Sequence, residues 1–470
     1  SRISDMEAGR MIKDYMGHEL GVHQVNRANL HLVRTGGSVL QNGGAQALAN
    51  LLVELEPRQL VIQTEQRAAQ AILSHHRKNG DQDLFFLANT TNMDFDASVG
   101  IRKDGSTRPT LEIWDIETGE ISELGTSSEG DYTTVSLRFE AYQSRLIVVG
   151  GTPEERALEM ETIELPIKGN WRLDLEDDNA LRIDRFRMQI DLHHKGQNQG
   201  WHTTGYLDSK WATVGPKPFG DQIRDNAPTS LPLKFSQSGS GPNVDLPLVV
   251  WYRASFRADI IPNKLALVKD REAISGNYQI FLNGTKLPNN SFRPTFRYDQ
   301  NNLTCALGRR VVKGKNLIAV RVEVDDLSDG LIDAFYLFGK FGVRRWKSDG
   351  RRIGAVSERG PVASLDLNRL PYYAGTVSFS TELTIKKPNS TQFQISLNKE
   401  FKGTEDAIEI SINGHSLGSR LWSPYTWKGQ SSWIKTGRNR VTIKCTNTLS
   451  RLLTGKRFNY RAHRMVEVKI

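Results

Sequence analysis

The chain has 470 residues, a formal net charge of +9 and only two cysteines. Its length predicts about three to four domains, and the distant pair Cys305 and Cys445 excludes a fold that depends on disulfides. The basic residues are scattered among acids rather than gathered in a stripe with aromatic residues, which argues against nucleic-acid binding. No apolar run approaches the roughly 20 residues of a membrane-spanning helix.

The first 70 residues carry most of the helical periodicity of the chain. Apolar residues recur at helical spacing in "DMEAGRMIKDYM" and again in "AQALANLLVELE". Between them, Gly36 and Gly37 end a helix and lead into a short apolar strand. This order predicts that residues 1–70 form the end of an α/β domain, and we expect its other strands to precede Ser1.

The pattern changes to strands after residue 70. Segments such as "DLFFLANTT", "LEIWDIETGEI" and "YTTVSLRF" alternate or run apolar, with turn residues between them. Their regular spacing predicts a small antiparallel β-sandwich over residues 71–152.

One pattern then occurs twice in the rest of the chain. "NYQIFLNGTKL" is followed by "VVKGKNLIAVRVE", and "AIEISINGHSLG" is followed by "IKTGRNRVTIKCTNTL". Each copy has a strand that ends in Asn-Gly, a hairpin signal because both residues tolerate a positive φ, and a later turn of Gly, a basic residue and Asn. Each copy also opens on a long alternating strand. The repeat predicts two related sandwiches, over residues 161–345 and 346–470.

The last of these domains resembles the sugar-binding-type jelly roll that ends many large glycoside hydrolases. The resemblance rests on "YYAGTVSFSTEL", on "INGHSLGSRLWSPYTW" and on "TGRNRVTIKCTNTLSRLL". Trp422, Pro424 and Tyr425 fill the W-x-P-Y positions of that pattern, whereas Arg451 stands where Asn is usual. The resemblance implies a mainly β protein with tandem galactose-binding-like jelly rolls after a short α/β remnant.

The preceding segments are similar to one subgroup, the α-L-rhamnosidase-like glycoside hydrolases of family 106. "HHRKNGDQDLFFLANTT" with "LEIWDIETGEI" resembles the small sandwich that follows the catalytic region there, and "LVRTGGSVLQNGG" resembles the end of the α/β domain before it. In that family the catalytic carboxylates lie in a (β/α) barrel, which needs roughly 250 residues of alternating strand and helix. No stretch of this chain has that pattern, so we expect no catalytic residue here and a catalytic region upstream in the same polypeptide.

Two acidic clusters are the candidates for ion binding. Asp177 and Asp178 lie in one predicted turn, and Asp329 and Asp333 lie in another acidic stretch. Clustered carboxylate oxygens are ligands for Ca²⁺, so a structural calcium ion is an expectation at either cluster, although the predicted function requires no cofactor. Solvated turns are the alternative, and paired carboxylates for glycoside hydrolysis are a further one.

Aromatic residues are the candidates for sugar contacts, because a flat ring stacks on the apolar C–H face of a sugar. The candidates lie in one Gly- and polar-rich loop and in the last domain: Trp201, Tyr206, Trp211, Trp422, Tyr425 and Trp427. The alternative is that these rings support the sandwiches themselves.

These expectations combine into a carbohydrate-binding accessory region of a glycoside hydrolase whose parent hydrolyses terminal α-L-rhamnosides or a related plant or microbial glycan. A stand-alone carbohydrate-binding or scaffold protein is one alternative. A hydrolase of the β-galactosidase or β-glucuronidase type is another. An extracellular or periplasmic location would suit any of them.

Overall fold

The computed structural model describes residues 59–64, 72–103, 109–150, 161–164, 170–225, 246–346, 350–362, 364–397, 406–459, 462 and 464–470. Within these ranges the chain is mainly β, with sheets that pack as three sandwiches and with two short α-helices. The predicted fold class of tandem sandwiches is therefore confirmed. The helices predicted in residues 1–70 lie outside the described residues.

The small sandwich comes first. Its strands are β1 (Leu60–Gln63), β2 (Ile72–Asn79), β3 (Gln82–Asn89), β4 (Phe95–Arg102), β5 (Leu111–Trp114), β6 (Ile121–Glu123), β7 (Ser127–Glu129), β8 (Tyr132–Phe139) and β9 (Ser144–Val149). Sheets of order β1-β4-β8-β7 and β2-β3-β9-β5-β6 enclose the alternate apolar residues of these strands. Because β1 pairs with β4, the sandwich begins before the predicted boundary at residue 71.

The middle sandwich is built from the next long stretch of chain, which begins after β10 (Glu161–Glu164) and β11 (Trp171–Leu175). Its elements are β12 (Asn179–Ile183), β13 (Phe186–Ile190), β14 (Ala212–Val214), α1 (Phe219–Asp225), β15 (Leu248–Ala258), β16 (Ala266–Asp270), β17 (Ile274–Ser275), β18 (Asn277–Leu282), β19 (Thr285–Leu287), β20 (Arg293–Pro294), β21 (Asn302–Ala306), β22 (Gly314–Val324), β23 (Gly330–Leu331), β24 (Phe335–Gly339), β25 (Gly342–Trp346) and β26 (Gly350–Gly354). One sheet has the order β14-β13-β15-β22-β18-β19, with β26 also on β15, and the other has the order β12-β24-β16-β21-β20.

The last sandwich ends the chain. Its elements are β27 (Arg359–Gly360), β28 (Thr376–Ile385), β29 (Gln392–Ser396), β30 (Ala407–Ile412), β31 (His415–Arg420), β32 (Thr426–Gln430), β33 (Gly437–Thr446), α2 (Ser450–Thr454), β34 (Lys456–Asn459) and β35 (Arg464–Glu467). Its sheets have the orders β27-β11-β28-β33-β30-β31 and β10-β29-β32. Cys305 and Cys445 are buried free thiols, one in the middle and one in the last sandwich.

The boundaries between the last two sandwiches differ from the predicted ones. β10 and β11 precede the middle sandwich in sequence but pair with β29 and β28 of the last one. β26 lies after residue 346 but pairs with β15 of the middle sandwich. The middle sandwich is thus inserted between strands of the last one. The prediction assumed that neighbours in sequence pair with each other, and here long-range pairing determines the sheets.

The predicted repeat is visible in the topology. The middle sandwich contains the strand order β13-β15-β22-β18-β19, and the last contains β11-β28-β33-β30-β31. In each, the long opening strand pairs along its whole length with the strand after the Gly-basic-Asn turn. The Asn-Gly hairpin then lies on the far side of that strand.

A pair of asparagines closes each repeat, and we call each pair an asparagine clasp. In the middle sandwich, Asn283 Nδ2 donates to Asn316 Oδ1 at 2.8 Å, while Asn283 Oδ1 accepts from the backbone N–H of Leu317 at 2.8 Å. In the last sandwich, Asn413 Nδ2 donates to Asn439 Oδ1 at 2.8 Å. Asn283 and Asn413 adopt φ values of 52° and 51°, the left-handed conformation that Asn tolerates in a two-residue hairpin turn. The repeat in sequence is therefore a repeat of one hydrogen-bonded turn.

Candidate functional site

A cleft opens in the larger sheet of the middle sandwich, on one edge of β15. β13 pairs with β15 as far as Arg253, and β26 joins the same edge from Phe256 onward. In the part of the chain that the structure describes, Ala254 and Ser255 have no partner strand on this edge, although β22 pairs with them on the other. The gap leads into a cavity of about 460 Å³.

The cleft has a polar rim above buried apolar side chains. Leu181, Phe186 and Phe256 lie beneath the gap and are at most 1% exposed, so a ligand would meet the rim and the strand edge rather than these side chains. The rim carries the hydroxyl groups of Ser209, Thr213 and Ser255. A concave surface on which several polar groups converge is a usual feature of a ligand site.

Cationic side chains outnumber anionic ones around this cavity, which we call the basic cleft. The charged residues that line it are Arg185, Arg187, Arg253, Lys315, Arg351 and Asp208. They come from four different strands and two connecting loops, so the fold rather than a sequence motif brings them together.

Arg253 holds one wall of the basic cleft in place. It is 1% exposed, and a buried charge is stable only when it is paired and hydrogen-bonded. Its Nε donates to Asp208 Oδ2 at 2.8 Å, and its other nitrogens donate to the backbone oxygens of Trp201, Thr203 and Tyr206. One guanidinium therefore fixes the loop of residues 192–211, the aromatic loop, against β15.

The rings of the aromatic loop complete this support. Arg253 lies over the rings of Tyr206 and Trp211, at 5.4 and 5.6 Å from their centroids. Trp201 and Trp211 are only 8% and 6% exposed and pack with Trp251 in a second apolar cluster outside the main core. These two tryptophans pack inside the loop rather than offering a free face to a sugar, whereas Tyr206 is half-buried.

The candidates in the last sandwich are also mainly structural. Tyr425 and Trp427 are 1% and 0% exposed within its core, so neither has a ring face available for stacking on a sugar. This corrects the prediction for both residues, and the reason is their position on the inward-facing side of β32 and the turn before it. Trp422 is half-buried and remains a candidate.

The W-x-P-Y loop packs against the small sandwich. The backbone N–H of Leu421 donates to Glu117 Oε1 at 2.5 Å, and Arg420 Nε lies 3.7 Å from the same carboxylate. Lys428 forms a second ion pair with Glu120. Burial raises the pKa of Glu117. The loop that carries Trp422 therefore joins two sandwiches.

The first acidic cluster lies where the chain passes from β11 into the middle sandwich. Asp177 Oδ2 accepts from the backbone N–H of Thr376 at 3.0 Å, and Asp178 forms an ion pair with Arg297 at 3.0 Å. Lys340 Nζ donates to the backbone oxygens of residues 175 to 177. These contacts connect the last sandwich to the middle one.

The second acidic cluster is held by hydrogen bonds within the middle sandwich. Asp329 accepts from Ser275 Oγ at 2.7 Å and from the backbone N–H of Asp326 at 3.0 Å, and Asp333 accepts from its neighbour Ala334. Among the described residues, no group of three or more His, Cys, Asp or Glu side chains is placed to hold a metal ion. Calcium at either cluster therefore stays a prediction without a ligand set in this geometry.

The sequence did not indicate the basic cleft. Arg185 and Arg187 flank Phe186, and this alternation is a signal for one polar strand face. Nothing local connects them to Lys315 or Arg351, because those residues belong to strands far away in sequence. Knowledge of the strand order was needed to bring these cations together.

No protein-family model matches the chain, and no curated protein matches it. Solved structures match in part. A rhamnosidase from Novosphingobium sp. PP1Y is 14% identical with a TM-score of 0.20, over 62% of this chain and 26% of that one. A glycosyl hydrolase family 2 member from Bacteroides cellulosilyticus is 16% identical with a TM-score of 0.24, over 58% of this chain and 31% of that one.

A β-glucuronidase from Lactobacillus rhamnosus is similar to the same degree, at 12% identity and a TM-score of 0.25, over 62% of this chain and 44% of that one. The chain thus spans less than half of each of these three structures. At such TM-scores the likeness carries no functional argument.

None of the helices in the described ranges has the length and hydropathy of a membrane span.

Proposed function

We propose that this chain is a carbohydrate-binding, non-catalytic region of a glycoside hydrolase, and that the basic cleft of the middle sandwich is its glycan site. The observation that carries the proposal is the cleft itself, in which hydroxyl groups, cationic side chains and an unpaired strand edge line one concave surface. Sugars present many hydroxyl groups, and convergent hydroxyl, guanidinium and backbone groups can exchange hydrogen bonds with them.

The cleft is preorganised, which favours binding by reducing the entropy lost on association. β15 pairs with β22 over residues 248–258 and supplies the cleft's central strand. Arg253 fixes one wall through Asp208. On the opposite side, Arg351 donates to Asp184 Oδ1 and to the hydroxyl of Tyr372, both at 3.0 Å.

The acidic clusters favour a non-catalytic role. The carboxylate of Asp177 accepts from the backbone N–H of Thr376. That of Asp329 accepts from Ser275 Oγ and from the backbone N–H groups of Asp325 and Asp326, so both carboxylates are occupied in structural contacts. Glycoside hydrolysis needs two carboxyl groups about 5–9.5 Å apart across a cleft, and Asp208, the one carboxylate that lines the basic cleft, is paired with Arg253. Hydrolysis would therefore belong to a separate catalytic region of the parent enzyme.

The parent would act on terminal α-L-rhamnosides or a related plant or microbial glycan. This part of the proposal rests on the resemblance of the W-x-P-Y loop and of the small sandwich to the rhamnosidase family. The backbone of that loop also contacts Glu117, which links the last sandwich to the small one. An extracellular or periplasmic location is proposed with it.

Two measurements on the purified 470-residue chain test the proposal. We expect no turnover of aryl glycosides, including α-L-rhamnoside and β-D-galactoside, and retention by at least one polysaccharide in affinity electrophoresis. Thr213→Trp would fill the mouth of the cleft and abolish retention. Thr285→Trp, at an equally exposed position on the far edge of the same sheet, would leave it unchanged.

Either of two outcomes would contradict the proposal. Turnover that is lost in Asp177→Asn or Asp329→Asn would show that the chain is itself a hydrolase. Retention that Thr213→Trp leaves intact would place the glycan elsewhere.

A further inference from the structure

We infer that the basic cleft selects acidic glycans, which carry carboxylate or sulfate groups. This inference rests on the proposed function, because it names the class of glycan for the same site. The starting observation is the charge of the lining, where five cationic residues accompany a single carboxylate, that of Asp208. Such an excess creates a local positive potential that favours an anionic ligand.

Two of these cations already serve the fold. Arg253 is neutralised by Asp208 at 2.8 Å, and Arg351 is neutralised by Asp184 at 3.0 Å. Both guanidinium groups also donate to other protein oxygens, so their charges are largely satisfied without a ligand.

Arg185 and Lys315 differ from these two. Both side chains are exposed at the cleft, and neither forms an ion pair within the described part of the chain. Lys315 makes one long hydrogen bond, from Nζ to the backbone oxygen of Thr204 at 3.4 Å. Their charges are available to a ligand.

The positions of these two cations suit a chain of sugars. Arg185 lies just before β13, on one side of β15, and Lys315 lies in β22, on the other side. A glycan that crosses the unpaired edge at Ala254 and Ser255 would pass between them. Hydrogen bonds between a cation and an anionic oxygen are about twice as strong as neutral ones, so each cation would favour an acidic sugar over its neutral counterpart.

Affinity electrophoresis of the full chain tests this inference with three probes: polygalacturonate, a carrageenan and a neutral galactan. We expect an acidic polymer to bind at least about tenfold more tightly than galactan, the difference that one charge-assisted hydrogen bond supplies. Binding only to polygalacturonate identifies a carboxylate ligand, binding only to carrageenan identifies a sulfate ligand, and binding to both identifies anionic glycans in general.

A charge-matched pair of variants separates the cleft from the general basicity of the protein, whose net charge is +9. Arg185→Gln/Lys315→Gln should weaken binding of the acidic polymer at least about tenfold. Lys286→Gln/Arg309→Gln removes one exposed lysine and one exposed arginine elsewhere in the same sandwich, and should change it less than twofold.

The possible failures are distinguishable. If galactan binds as tightly as the acidic polymers and Thr213→Trp abolishes that binding, the cleft is a glycan site but the inference on charge is wrong. If both double variants weaken binding equally, the protein binds acidic polymers through non-specific surface charge, and the inference is also overturned. If no polysaccharide binds, the proposed function fails with it.

Discussion

Removing either asparagine clasp should destabilise its own sandwich by about 3 kcal/mol. Asn316 is 0% exposed and makes four hydrogen bonds. Its Oδ1 accepts from Asn283 Nδ2 and from the backbone N–H of Val312, and its Nδ2 donates to the backbone oxygens of Val312 and Gly314, all at 2.7 to 3.1 Å. Asn439 is 1% exposed and makes the same four bonds in the last sandwich.

The magnitude follows from the groups that Asn316→Ala leaves without a partner. One backbone N–H, two backbone oxygens and the side-chain amide of Asn283 each lose a bond. A typical protein hydrogen bond contributes roughly 0.5–1.5 kcal/mol net, so four of them bound the loss at about 2–6 kcal/mol. Gly314 is half-buried and Val312 is exposed, so water can replace part of the lost hydrogen bonds to their backbone groups. The expected loss therefore lies near the lower end of this range.

Urea unfolding followed by tryptophan fluorescence measures this loss. Asn316→Ala and Asn439→Ala should each lower the free energy of unfolding of one sandwich. In the double variant each sandwich should lose the same amount as in its single variant, because the two sites share no partner. Asn290→Ala is the control, since that side chain is exposed and its loss should cost less than about 0.5 kcal/mol. If both clasp variants resembled the control, the clasps would not be what stabilises the repeated turn.

Three further predictions follow from single sites. Gly375→Ala should lower the free energy of unfolding by about 2 kcal/mol or more, because φ is +147° and a Cβ would lie 2.3 Å from Asp177 Oδ2, whereas Gly125→Ala meets no atom within 4 Å and serves as the control. Burial lowers the pKa of Lys269 from 10.5 to about 8. In that window the unfolded state binds more protons, so stability in urea should rise as the pH increases from 8 to 10.5, and a Lys269→Met variant should lack that rise. Trp427→Ala should cost about 4 kcal/mol on thermal unfolding, while Trp422→Ala should cost much less. Equal costs would contradict the burial of Trp427 in the core.

The sequence predicted the parts of the fold that depend on short-range signals. The Asn-Gly and Gly-basic-Asn turns, and the long alternating strands before them, identified two related sandwiches because each of these signals lies within a few residues. The pairing of β11 with β28 was not predictable in this way. It joins strands that are about 200 residues apart, and no local signal shows that β11 belongs to the last sandwich rather than to the middle one.

The candidate site also combines features that short-range signals predict with an arrangement that depends on long-range strand pairing. Aromatic residues in a loop were a reasonable prediction for sugar contacts, yet Trp201 and Trp211 proved to be held inside their loop by Arg253. The basic cleft depends on a gap between β13 and β26 along one edge of β15. No local pattern in the sequence marks a gap between strands, so the cations that surround it look like ordinary surface residues until the sheet is known.

The most direct test of the account is hydrogen–deuterium exchange of the full chain, with and without a saturating amount of the polysaccharide that binds most tightly. A glycan in the basic cleft should slow amide exchange in peptides that contain Ala254 and Ser255, and in those around Arg185, while exchange in the hairpin of β30 and β31 stays the same. Protection confined to the last sandwich, or none in residues 252–258, would contradict the assignment of the cleft as the glycan site.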